Sequence, residues 1–134
     1  MSISVEAYRN FGTTEHRLQV LVLEHLRLCG RPGVRAIAIP NEGRRSYRTG
    51  ARMKDAGLSP GAPDLVIVMP NREVAWLELK RGKNGRMSVA QKGMQAWLTS
   101  IGHTYGVART LDEAIEFLGK VGALRTHRAT EGTT

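Results

Sequence analysis

Cysteine is almost missing from this chain: Cys29 is the only one in 134 residues. An internal disulfide is therefore impossible, and a reducing cytosol is the expected setting. Long apolar runs are missing too, with nothing approaching the ~20 residues of a membrane span. The opening segment, Met1 to Glu6, has neither a basic region nor an apolar core, so it does not read as a secretory signal. His16, His25, His103 and His127 form no ligand spacing with Cys29, which argues against a structural zinc site. There are no internal repeats and no low-complexity segment. The expectation is one domain over residues 1–124, with a polar, frayed tail over 125–134. Acidic residues are the minority, 12 against 20 lysines and arginines, for a net charge of +8. Such a balance points to a polyanionic partner, nucleic acid first and an acidic membrane surface second.

The positive charge is unevenly placed. Arg44, Arg45, Arg48, Arg52 and Lys54 crowd one stretch. Lys80, Arg81, Lys83, Arg86 and Lys92 crowd another. A solubilising surface would explain them, and so would a surface that receives DNA phosphates.

Periodicity sets the elements. Thr13 and Thr14 are candidate N-caps for a helix to about Cys29, with Leu18, Leu21, Val22 and Leu26 as its apolar stripe. Cys29 is expected to pack at its end. Residues 34–39 read as a first strand, followed by a long basic connection with a helical turn near 51–56. Second and third strands cover 64–69 and 73–80. Ser88 and Gln91 have capping-box spacing. The helix they open runs to about Ile101, with Ala90, Met94, Trp97, Leu98 and Ile101 as its expected buried stripe. Gly102 stops it. Residues 104–109 form a fourth strand. Thr110 and Glu113 suggest a second capping box, and the last helix buries Leu111, Ala114, Ile115, Leu118 and Val121.

The second and third strands carry charges that a buried strand should not tolerate. Pro70-Asn71-Arg72 is a turn signal between them. If the chain folds back symmetrically about Asn71, Asp64 opposes Glu78, and directly opposed residues share a face with Cβ atoms roughly 4.5–5.5 Å apart. Lys80, two residues on, points to the same face. A two-residue turn would shift the register by one and separate the two acids, unless a bulge restored the match. Opposed carboxylates repel unless a cation lies between them, and an oxygen-rich site of this kind suits Mg²⁺ or Mn²⁺. A solvated Glu-x-Lys face is the bland alternative.

Taken in order, Thr14-Glu15-His16, Pro40-Asn41-Glu42-Gly43, Gly61-Ala62-Pro63-Asp64, Glu78-Leu79-Lys80 and Gly85-Arg86-Met87-Ser88-Val89-Ala90-Gln91 resemble a stand-alone VRR-NUC domain of the PD-(D/E)XK nuclease superfamily. The resemblance runs from about Thr13 to Leu118, with Met87 where leucine is expected. It implies an α/β fold with a restriction-endonuclease-like core, a mixed four-stranded sheet flanked by helices in the order α-β-β-β-α-β-α. It also implies Mg²⁺- or Mn²⁺-dependent hydrolysis of DNA phosphodiesters. Asp64, Glu78 and the Leu79 carbonyl would bind the metal, Lys80 would act on the attacking water, and Glu15 would complete the metal–water shell. Gln91 would be a further catalytic-site residue, reaching back toward Lys80 or the substrate. Glu15 could equally serve its own helix dipole, and Gln91 has a competing role in its capping box. Arg44, Arg45, Arg48, Arg52, Lys54, Arg81, Lys83 and Arg86 are the candidate DNA contacts. Asn41 and Glu42 have no assigned chemistry. Stand-alone domains of this kind are associated with phage and bacterial genomes and with homodimers that cut four-way junctions. Trp76, Trp97 and Tyr105 are candidate interface groups, although Trp97 lies on the expected buried stripe. A nicking or restriction-like nuclease and a catalytically silent DNA-binding protein are the alternatives.

Overall fold

A computed structural model of the chain describes residues 14–40, 55–57, 59–82 and 85–126. Its elements are α1 (Glu15–Cys29), β1 (Arg35–Ala38), β2 (Leu65–Val68), β3 (Val74–Leu79), α2 (Val89–Ser100), β4 (Thr104–Ala108) and α3 (Leu111–Lys120). The order matches the sequence expectation. The strands form one mixed sheet in the order β1-β2-β3-β4. β1, β2 and β3 pair antiparallel, while β4 runs parallel to β3 after the α2 crossover. The helical turn expected near 51–56 falls mostly outside the described residues.

The β2–β3 hairpin settles the register. Leu65 opposes Leu77 and Val68 opposes Val74. Continued outward, this pairing sets Asp64 across from Glu78. The turn itself has two central residues, Asn71 and Arg72, both left-handed with φ of 65° and 68°. Such a turn matches the twist of paired strands. Alone it would displace the register by one. A bulge restores it, because Glu73 bonds two residues: its carbonyl accepts the Met69 N–H at 2.9 Å and its N–H donates to the Pro70 carbonyl at 3.4 Å. Proline, which has no N–H to give a ladder, suits the extra position.

One sheet face carries Leu65, Ile67, Ala75, Leu77 and Leu79, all fully buried, and packs against Leu18, Val22, Ala114 and Leu118 of α1 and α3. Thr14 caps α1, its hydroxyl accepting from Arg17 N at 3.1 Å. Cys29, expected to pack, is exposed at the end of α1. Residues after α3 return to the α1–β1 turn: Arg31 N donates to the Ala123 carbonyl and Arg125 N to the Cys29 carbonyl, both at 2.8 Å. Arg125 is thus held, contrary to the expected fraying. Residues 127–134 lie outside the described residues.

α2 covers the other face, and here the expected stripe needs correction. Leu98 is buried and Met94 half-buried, but Ala90, Trp97 and Ile101 are exposed, with Gln91 and Gln95 turned partly inward instead. The helix is rotated so that a polar side chain, Gln91, faces the sheet. In the last helix, Leu111, Ala114 and Leu118 are buried, whereas Ile115 and Val121 are half-buried. Its capping box is also altered. Thr110 Oγ1 accepts from Glu113 N at 3.1 Å, but the Glu113 carboxylate reaches back to Arg109 N at 2.7 Å.

Gly61 fixes where α2 lies. It has φ +82°, and a Cβ there would come within 2.4 Å of the Ala90 carbonyl group and 2.7 Å of Gln91 N. Gly61→Ala should cost about 2–4 kcal/mol through left-handed strain and backbone collision. Gly93, inside α2 with open space around it, is the control. Gly93→Ala should stabilise by roughly 0.8 kcal/mol. Urea denaturation of both variants measures the contrast.

Candidate active site

Four side chains converge at the Asp64 end of the hairpin. Pro63 is fully buried, which anchors the segment leading into β2. Asp64 Oδ2 accepts the Leu79 N–H at 2.8 Å, so this carboxylate ties the end of β2 to the end of β3. Glu78 and Lys80 are 2% and 8% exposed. Both point to the α2 side of the sheet, opposite the apolar face. Lys80 Nζ stands 3.4 Å from Glu78 Oε2.

Gln91 is the fourth group. Its Oε1 accepts the Ser88 N–H at 2.8 Å, while Ser88 Oγ accepts Gln91 N at 3.1 Å, completing the capping box. Its Nε2 donates to Glu78 Oε2 at 2.6 Å. A backbone N–H can only donate, so the amide oxygen must face Ser88 and the NH₂ must face Glu78. The two roles weighed for Gln91 therefore coexist in one side chain.

The electrostatics centre on Glu78. Burial, the Asp64 charge and hydrogen bonding with Asp64 raise its pKa from 4.5 to about 8, with Lys80 pulling the other way. Oε2 is engaged by Gln91 and Lys80. Oε1 is buried with no partner. With both carboxyl groups ionised, nothing supplies a donor between them. A proton can fill that gap, and so can a cation. Tyr105, on β4 in register with Trp76, has its pKa raised by burial and by Glu78 and Asp64, and its hydroxyl is also buried without a partner.

The other candidates fall into two groups. Glu15 is exposed in the first turn of α1, and among the described residues no three His, Cys, Asp or Glu side chains form a metal-binding group. Arg81 and Arg86 are exposed beside the site. Asn41, Glu42, Arg44, Arg45, Arg48, Arg52, Lys54 and Lys83 lie outside the described residues. Two residues near the site had no assigned part in it. Tyr105 is half-buried near the carboxylates rather than presented as a surface aromatic. Arg109 Nη1 donates to the carbonyls of Gly82 at 2.9 Å and of Gly85, holding together the turn that follows Lys80. Strand alternation places Tyr105 on a face but not which face. No local signal marks Arg109. Trp76 shares the strand face of Glu78, as alternation requires, and donates from Nε1 to His103 Nδ1 at 3.0 Å.

No protein-family model matches the sequence, and no curated protein matches it. Solved structures do. One described as a VRR_NUC domain protein has a TM-score of 0.69 at 22% identity, covering 86% of this chain and 98% of its own. Another, described as a VRR_NUC domain, has a TM-score of 0.56 at 19% identity, covering 78% and 94%. The chain has an α/β fold with a mixed four-stranded sheet, the fold of a VRR-NUC domain.

The raised pKa of Glu78 makes the stability of the metal-free protein depend on pH. Its contribution is full below about 4.5 and is lost as pH rises towards about 8, because across that range the unfolded state releases a proton that the folded state still holds. Thermal melts between pH 5 and 8 should show this decline, and Glu78→Gln should flatten it.

Proposed function

We propose that this protein is a metal-dependent DNA endonuclease. The observation that carries the reading is the buried, donor-less Oε1 of Glu78 beside Asp64, on a fold shared with VRR_NUC domain structures. Hard carboxylate oxygens with an unmet need for positive charge fit Mg²⁺ or Mn²⁺. Asp64, Glu78 and the Leu79 carbonyl are the groups that would hold it, with Glu15 contributing through water. Such a metal supplies polarisation of a phosphate and a more acidic attacking water.

The chain's own residues divide the remaining work. Asp64 joins the two strand ends. Gln91 holds Glu78 Oε2 in place, leaving Oε1 available. Lys80 brings a buried positive charge to Oε2, from where it would counter charge developing on a phosphate and orient the water. Arg81 and Arg86 extend the positive field outward, which a DNA backbone needs in order to approach two acids.

The finer reading is a structure-selective, junction-cutting enzyme acting as a homodimer in a bacterial or phage-infected cytoplasm. One domain carries one site, while resolving a four-way junction takes two cuts, and two-fold pairing supplies them. Trp97 and Ile101, 56% and 55% exposed on α2, favour such pairing.

Cleavage of labelled junction, flap, fork and duplex DNAs with Mg²⁺, Mn²⁺ or EDTA tests the reading. Asp64→Asn, Glu78→Gln and Lys80→Met should each lower cleavage by about a hundredfold or more, because the groups act as a unit, with DNA affinity largely retained. EDTA should abolish cutting. Gln91→Glu keeps the cap but sets a carboxylate against Glu78, so it should lower cleavage with little change in melting temperature. Full activity in folded Asp64→Asn would defeat the assignment. Light scattering on eluted protein should give the mass of two chains, and a monomer that prefers no junction would remove the finer reading alone.

A further inference from the structure

A second basic feature lies away from the carboxylates. A cavity of about 360 Å³ opens where α1 ends and β1 begins, lined by Arg27, Arg31, Arg35 and Arg125 and, among the described residues, by no acidic side chain. The four come from three places in the sequence: the last turn of α1, the α1–β1 turn with β1, and the segment after α3. The hydrogen bonds from Arg31 N to Ala123 and from Arg125 N to Cys29 bring them together.

Two of the arginines have structural occupations. Arg27 is ion-paired with Glu24 at 2.6 Å. Arg125 donates from Nε to the Gly30 carbonyl at 3.0 Å. Arg31 and Arg35 differ, since no side-chain hydrogen bond or ion pair engages either among the described residues. Four arginines that line one cavity, two of them without an internal partner, carry like charge that a bound anion would offset. Arginine's planar fork matches phosphate oxygens in pairs.

β1 leads from this cavity, which its first residue Arg35 lines, towards the candidate active site. β1 is an edge strand. Ile39, just beyond its end, donates its N–H to the Asp64 carbonyl at 2.9 Å. Arg35 lies four residues earlier, roughly 13 Å back along the strand at ~3.3 Å per residue. That distance equals the rise of about four base pairs at ~3.4 Å each.

We propose that this arginine cleft is a distal phosphate-binding site, in which Arg31 and Arg35 grip the DNA backbone about four base pairs from the scissile phosphate. The inference rests on the DNA-cleaving reading of the Asp64 site. The cleft anchors the duplex arm, so it adds affinity only to substrates long enough to reach it.

Binding of labelled duplexes without divalent ion tests it, titrated between about 50 and 200 mM salt. Each phosphate contact contributes about 0.9 to the salt slope. R31A/R35A should therefore have a slope shallower by about 1.8, which is roughly a twelvefold difference in affinity loss over that fourfold salt range. The wild-type protein should gain affinity in a step as one arm lengthens past about four base pairs, and the double variant should lack the step. R31K/R35K, which keeps the charges but not the forks, should recover the slope and only part of the affinity. An unchanged slope, or the same step in R31A/R35A, would overturn the proposal. So would polyglutamate binding that R31A/R35A abolishes while the DNA slope stays unchanged, since the cleft would then serve an acidic protein segment. Wild-type protein that shows the slope difference but cuts no DNA would sink the nuclease reading and leave the cleft. Cutting with no slope difference would do the reverse.

Discussion

The pairing of β2 with β3 about the Asn71 turn is the constraint on which the rest of the molecule depends. Side chains alternate along a strand, so a one-residue slip would send Asp64 to the apolar face and leave Glu78 alone. The bulge at Glu73 prevents that slip. Five fully buried apolar side chains on one face of the two strands oppose it as well, because slipping would expose them. The hydrophobic core thus holds together two carboxyl groups that repel each other when both are ionised. The bond from Leu79 N to Asp64 Oδ2 then makes an acid of the site a closing contact of the hairpin.

A second constraint comes from α2. An amphipathic helix placed by its apolar residues alone would turn Trp97 and Ile101 to the sheet. Instead the close approach of Gly61 to Ala90 and Gln91 brings the helix N-terminus against the Asp64 segment, and Gln91 is drawn to Glu78. The resulting rotation exposes Trp97 and Ile101. Gly61 therefore links two parts of the site at once, since it precedes Asp64 in the chain and seats the helix that carries Gln91.

Charge is arranged by depth. Glu78 and Lys80 are buried and Asp64 half-buried at the hairpin end, where low dielectric strengthens each interaction, while arginines stand outside. Arg81 and Arg86 lie beside the site, and Arg31 and Arg35 lie at the far end of the edge strand. A polyanion approaching the candidate site would meet the outer charges first, and these would offset its repulsion from the carboxylates.

Local pattern by itself determined the element order, the three N-caps and the apolar stripes of α1 and much of α3, and it gave the opposition of Asp64 and Glu78 as one of two registers, between which the bulge at Glu73 decides. These depend on residues close in sequence or on the strict alternation of a strand, and both are legible without coordinates. Gln91 was legible as a capping residue that could also serve the site, but its partner there is Glu78 rather than Lys80. Tertiary structure alone decided how α2 is rotated, because contact with Gly61 overrode the helix's hydrophobicity. It alone set Tyr105 near the carboxylates, Arg109 on the turn after Lys80, and Arg125 beside Arg31 and Arg35. Those arrangements join segments that lie far apart along the chain. No local propensity encodes which side chains meet when a helix crosses a sheet or when a chain end returns to a distant turn.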